Sequence, residues 1–112
     1  MIKRVLVANR GEIALRIFRT LKSMGIHSIA VYDDRELKSA YLEYADEAFS
    51  LGSGHPESTF LNIDKIIDIA KSAKADALHP GYGFLSENPV FAETITSEGI
   101  IYIGPSVNSL KL

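Results

Sequence analysis

Short apolar runs alternate with amphipathic stretches along this chain, and the alternation predicts its elements. Val5-Leu6-Val7-Ala8 is apolar at every position, as a strand buried on both faces should be. Asn9-Arg10-Gly11 interrupts it. Ile13, Ala14, Ile17, Phe18 and Leu21 then recur at helical spacing, with Glu12, Arg16, Arg19 and Lys22 on the other faces. Gly25 suits the position just past that helix. Ser28 to Tyr32 reads as a second strand, ended by Asp33-Asp34-Arg35-Glu36. The stretch from Leu37 to Asp46 is mixed and predicts a short helix. Ala48 to Leu51 is a third, weaker strand, and Gly52 to Pro56 is a loop.

Asn62 is placed to cap a helix carrying Ile63, Ile66, Ile67 and Ala70. Ala77-Leu78-His79 predicts a fourth strand, and Pro80 to Gly83 must be irregular. Asn88 followed by Pro89 starts a third helix, because proline at the first helical position loses no needed donor. Val90, Phe91 and Ile95 are expected to face inward, with Gly99 closing the helix. Ile100 to Ile103 is the last strand, stopped by Gly104-Pro105.

Strands alternating with helices predict an α/β fold: a Rossmann-like open parallel sheet with helices on both faces. By analogy with similar folds the strand order is 3-2-1-4-5. Ligands of such sheets bind beyond the carboxyl ends of the strands, where the order reverses. That point falls between strands one and four, flanked by Asn9 to Glu12 and His79 to Asn88.

Gly11 before a helix permits a tight turn and exposes N–H groups to an anion, with Arg10 adding charge. A plain strand-to-helix turn explains the same residues and is the preferred reading. In the second loop, Gly81 and Gly83 flank Tyr82, and Phe84 follows. The backbone there can approach a ligand closely while two rings offer flat faces. Alternatively, both rings plug the sheet edge. His27, His55 and His79 share no metal-ligand spacing and read as surface or structural residues. Asp33 stands about twenty residues after Gly11, where a dinucleotide-binding fold keeps its ribose-binding acid. However, Ala8-Asn9-Arg10-Gly11-Glu12-Ile13 has one glycine where that fold needs three. A solvated strand-end turn accounts better for Asp33-Asp34. A phosphoacceptor receiver domain is disfavoured as well, since Asn9-Arg10 and Gly104-Pro105 replace its acids and lysine. Arg16 and Arg19 lie on one exposed helix face, either solvated or part of an assembly surface.

At 112 residues the chain suits one domain, which can bury roughly two thirds of its unfolded surface. A net charge of −2 gives no electrostatic reason to expect nucleic acid or an anionic membrane as partner. Without cysteine the chain has no disulfide, thiolate nucleophile or Cys-ligated metal. The apolar run after Met1-Ile2-Lys3-Arg4 is too short for a signal peptide or a membrane span, so cytoplasmic residence is expected.

The two loops carry a family resemblance. Val7-Ala8-Asn9-Arg10-Gly11-Glu12-Ile13-Ala14 resembles the opening of biotin carboxylase domains. His79-Pro80-Gly81-Tyr82-Gly83-Phe84-Leu85-Ser86-Glu87-Asn88 resembles their most distinctive N-terminal motif. Ala45-Asp46-Glu47-Ala48, Leu61-Asn62-Ile63 and Ile103-Gly104-Pro105-Ser106 agree too, so the likeness spans the chain in order. Departures occur at Tyr41, where a histidine is common, at Thr59-Phe60, where Ser-Tyr is usual, and at Ser23, where some members have an acid.

The resemblance implies an ATP-dependent ligase. MgATP and bicarbonate carboxylate biotin held on a biotin carboxyl carrier protein or domain, through carboxyphosphate, giving ADP and phosphate. A carboxyltransferase component then takes the carboxyl to an acyl-CoA or to pyruvate. Residues 1–112 match only the N-terminal, pre-ATP-grasp domain of such an enzyme. The ATP-grasp and C-terminal domains, with the ATP-contacting lysines and Mg²⁺-binding glutamates, lie beyond the match, so no catalytic or metal-binding residue is assigned here. By the same resemblance Tyr82, Gly83 and Phe84 line the biotin pocket, with Glu87 nearby. Arg16 and Arg19 correspond to positions at the carboxylase homodimer interface. The isolated chain is expected to be inactive.

Overall fold

The structure is a computed structural model and describes residues 1–104. Pro105 and Ser106 of the last motif, and the terminal Leu110-Lys111-Leu112, lie outside the described residues. The strands are β1 (Arg4–Val7), β2 (His27–Tyr32), β3 (Glu47–Ser50), β4 (Ala77–His79) and β5 (Ile101–Tyr102). The helices are α1 (Gly11–Ser23), α2 (Ile63–Ser72) and α3 (Pro89–Ser97). All four strand pairings are parallel, in the order β3-β2-β1-β4-β5. The predicted order is therefore observed, and it reverses between β1 and β4.

The unalternating apolar strands are explained by a core on each side of the sheet. Leu6, Ile29, Val31 and Leu78 point to one face, where Ile66, Ile67, Phe91 and Ile95 of α2 and α3 cover them. Val5, Val7, Ala30 and Ala77 point to the other, under Ala14, Phe18 and Leu21 of α1. A period of two along each strand sends alternate residues to opposite layers, and both layers are apolar.

The predicted caps are in place. Asn62 Oδ1 accepts from the Lys65 N–H at 3.1 Å, and Asn88 Oδ1 accepts from the N–H groups of Val90 (2.9 Å) and Phe91 (3.1 Å). One inward assignment in α3 is corrected. Val90 is 61% exposed, and Ala92 is buried with Phe91 and Ile95. At 3.6 residues per turn Val90 lies about 140° around the helix from Ile95, off the buried face.

The short helix expected within 37–46 is a 3₁₀ helix, Ala40–Tyr44, and another 3₁₀ turn precedes it at Asp34–Glu36. Leu37 and Tyr44 point to solvent, which leaves Tyr41 as the main anchor. The Tyr41 ring stacks on Phe18 with centroids 6.5 Å apart, and its hydroxyl donates to the Val31 carbonyl at 3.1 Å. Burial pushes the Tyr41 phenol above its ordinary pKa, so it remains a donor. Tyrosine thus serves as core at this position.

At the amino ends of the strands, Glu47 meets His27 Nε2 at 2.5 Å and Arg4 at 2.6 Å. His27, then Arg4, hold its carboxyl below the usual range, against the opposing effect of burial.

Candidate functional site

The site grows from the point where β1 and β4 end side by side. Val5 to Ala8 are buried, so the polar residue that follows must find partners inside the protein. Asn9 is 1% exposed. Its Nδ2 donates to the carbonyls of Pro80 (3.0 Å) and Tyr82 (2.6 Å), and its Oδ1 accepts from the Arg10 N–H at 2.8 Å. One amide therefore ties the loop after β1 to the loop after β4.

This close approach dictates Gly81. A Cβ there would stand 2.6 Å from Asn9 Nδ2 and 2.8 Å from Asn9 Cβ, and the residue has φ +69°, a left-handed conformation favoured by glycine. The Gly81 N–H donates to His79 Nδ1 at 3.0 Å, which requires an unprotonated Nδ1. Burial lowers the His79 pKa and keeps that nitrogen an acceptor. Histidine is a structural group here, as expected.

Beyond Gly81 the chain stays in unusual conformations. Gly83 has φ +74° and Phe84 has φ +48°. A left-handed phenylalanine persists only where its surroundings over-determine it. Here Phe60 stacks on the Phe84 ring with centroids 5.0 Å apart. From the other side the Tyr102 hydroxyl donates to the Ser86 carbonyl at 3.0 Å. Held this way, the loop leaves Tyr82 78% exposed, and a Cβ at Gly83 would meet no atom within 4 Å. Tyr82 does not plug the sheet edge, whereas the Phe84 ring packs on the core residue Phe60.

The predicted loop residues do not share one pocket. Phe84 lines an open concavity of about 340 Å³ with Arg10, Asp33, Arg35, Glu36 and Phe60. Glu87 lines another of about 350 Å³, with His79, Pro80, Gly81 and Ser86. Tyr82 projects from the loop and lines neither.

In the first concavity the charges are already paired. Arg10 binds Glu36, and Arg35 binds Asp33 through Nε (2.9 Å) and Nη2 (2.6 Å). Asp33 is corrected here: Asp34 is exposed, but Asp33 is 5% exposed and caps the turn that follows β2. Its Arg35 partner, by side chain and by backbone N–H, holds its carboxyl well below the usual range. With both oxygens engaged, Asp33 is poorly placed to receive a ribose hydroxyl. Asn9 bridges the two loops at the switch point, and the turn reading of Arg10-Gly11 fits the observed ion pair.

Arg16 and Arg19 are exposed on α1, and Arg16 Nε donates to Glu12 at 3.0 Å. Arg16 also borders an apolar groove of about 380 Å³ formed by Ile2, Val5, Ile17, Leu21, Met24 and Ile103, among others. Among the described residues no group of three or more His, Asp or Glu is placed to hold a metal ion, and no helix is long and apolar enough to cross a membrane.

Sequence reasoning missed the roles of Asn9, Gly81 and Phe60. A signal existed for Asn9: a polar residue directly ending a wholly apolar strand has nowhere to meet water. Phe60 carries no such signal, because its partner lies 24 residues away across the fold.

The family model described as "Biotin carboxylase, N-terminal domain" matches residues 1–110. The chain is 51% identical over 110 residues to the mitochondrial methylcrotonoyl-CoA carboxylase subunit alpha of Mus musculus, covering 98% of this chain and 15% of that protein. It is 50% identical over 106 residues to biotin carboxylase 2 of Bacillus subtilis, covering 95% of this chain and 24% of the relative. The structure superposes with a TM-score of 0.95, at 48% identity, on the Campylobacter jejuni biotin carboxylase–β,γ-ATP complex, covering 100% of this chain and 25% of that one. The chain thus spans a quarter or less of these proteins. Fold, loop motifs and likeness agree: the chain belongs to the biotin carboxylase N-terminal domain family.

Proposed function

We propose that residues 1–112 are the N-terminal domain of an ATP-dependent biotin carboxylase, forming one wall of its biotin site and part of its dimer surface. The observation that carries this reading is the loop Gly81–Phe84. It is fastened at the sheet's switch point by Asn9, yet presents Tyr82 and the space beside Gly83 to solvent.

Biotin's ureido ring is flat and polar, with donors and an acceptor. An exposed tyrosine beside an open glycine backbone suits it: the ring supplies a face, the phenol a hydrogen bond, and the glycine allows close approach. Glu87, on the neighbouring concavity, adds a carboxylate at the rim. Phe84 contributes by setting the loop's path through Phe60. In the parent enzyme ATP and Mg²⁺ supply the activated phosphoryl group that drives bicarbonate onto biotin. Such transfer needs positioned cations. Arg10, the one arginine of the β1–α1 loop, is committed to Glu36, and the family resemblance assigns those cations to an ATP-grasp domain of the same enzyme.

The partners in this reading are that ATP-grasp domain, the biotin carboxyl carrier, a carboxyltransferase component and a second copy of the carboxylase meeting Arg16 and Arg19. The cytoplasm is the proposed location. The mouse relative is named mitochondrial, and fractionation of the source cell decides between the two compartments.

The test is the native size of the polypeptide, by immunoblot of source-cell lysate, with the activity of the isolated chain. A band several times the 12.3 kDa of this chain, and no carboxylation of free biotin by the chain alone, are expected. A band at the size of the bare chain, or carboxylation by it, contradicts the proposal.

A further inference from the structure

We propose that Asn9 is a positioning residue for biotin: its amide sets the backbone of the Tyr82 loop without touching the substrate. The inference rests on the reading of Tyr82 and Gly83 as a biotin wall. Among the described residues Asn9 is the one side chain that donates to that loop between Gly81 and Gly83, and it reaches the carbonyls on either side of Gly81. Both bonds come from one nitrogen on a side chain 1% exposed at the end of the central strand of the sheet. Its oxygen is anchored in turn by the Arg10 N–H. The planar amide therefore has little freedom, and the Tyr82 carbonyl inherits its position. Gly81 completes the device, since any larger residue would displace the amide.

The alternative is that Asn9 merely satisfies buried polar groups. The two roles differ in what they predict. A purely structural residue lowers every activity of the enzyme together. A positioning residue raises the KM for biotin and spares steps that do not involve biotin.

The experiment measures free-biotin carboxylation and bicarbonate-dependent ATP hydrolysis in the full-length carboxylase that carries this domain. Asn9→Ala is expected to raise the biotin KM on the order of ten- to a hundredfold, with ATP hydrolysis in the absence of biotin changed by less than about threefold. Gly81→Ala should act in the same direction. In the Asn9→Ala background it should add much less than it does alone, because the methyl then has room. An unchanged biotin KM in Asn9→Ala, or fully independent effects of the two substitutions, overturns the inference. Should Asn9→Ala lose both activities, Gly81→Ala alone decides: a raised biotin KM with ATP hydrolysis retained supports the inference. Loss of both activities in both variants overturns it, since Asn9 would then support the whole fold. Tyr82→Ala separates the two layers of the argument. If it leaves the biotin KM unchanged, the biotin wall itself is wrong. If it raises the KM while Asn9→Ala does not, the wall stands and the positioning role falls.

Discussion

Gly11, Gly81 and Gly83 have nearly the same φ, +62°, +69° and +74°, yet very different surroundings. Alanine at each carries the same conformational cost, about 1–2 kcal/mol for an L-residue in the left-handed region. At Gly11 and Gly83 an added Cβ meets nothing within 4 Å, so that cost is the whole effect. At Gly81 the methyl must push Asn9 aside, and the side chain loses two hydrogen bonds to buried or half-buried carbonyls. At about 1 kcal/mol each, their loss makes Gly81→Ala roughly 2 kcal/mol worse than Gly83→Ala. Urea unfolding of the three variants of this chain, followed by far-UV circular dichroism, measures the difference directly, provided the transition is two-state. Gly11→Ala and Gly83→Ala should agree closely, with Gly81→Ala well below both. If Gly81→Ala falls within about 0.5 kcal/mol of Gly83→Ala, a spread ordinary for unrelated sites, Asn9 does not clasp the loop and the argument fails.

Three further expectations follow from the same geometry. Gly83→Leu should impair biotin carboxylation by the parent enzyme without unfolding it, and full activity in that variant would mark the loop as structural filler. His79 has a folded pKa below its ordinary value, so the unfolded chain binds the extra proton first. Its contribution to stability is full above about pH 6.5 and is lost as pH falls below that value toward the folded pKa. His79→Asn, which can still accept from the Gly81 N–H, should flatten that part of the urea-midpoint profile; an unchanged profile would show that His79 does not titrate as described. Reversing Arg16 and Arg19 to glutamate should shift the parent carboxylase toward monomer in sedimentation velocity, and an unaffected dimer would remove the α1 face from the interface.

Much of the fold was readable from local pattern because local physics dominates it. An unalternating apolar run such as Val5 to Ala8 has few homes other than a doubly covered strand. Asn62 and Asn88-Pro89 cap their helices by bonds that span two or three residues. What escaped local reading is what long-range contact decides. Asp33 reads as a solvated turn because the Arg35 that encloses it is itself held from a distance, its Nη2 donating to the Gly54 carbonyl 19 positions on. The stretch 37–46 has helical composition in part, but only Tyr41 is fully buried, with Leu42 and Ala45 packed partly against the core and Leu37 and Tyr44 exposed. Asn9 and Tyr82 are separated by 73 positions, so no window of sequence contains their hydrogen bond. The loop motif was visible as a string of unusual residues, while its division between two concavities depended on Phe60, outside the motif.

The central claim is that this domain supplies a wall of the biotin site and leaves ATP chemistry to other domains. It is tested most directly by Tyr82→Ala in the full-length enzyme, assayed in parallel for free-biotin carboxylation and bicarbonate-dependent ATP hydrolysis. The account predicts that carboxylation falls much further than ATP hydrolysis, with the loss residing in the KM for biotin. Equal loss of the two activities would point to a folding defect and contradict the assignment of Tyr82 to biotin.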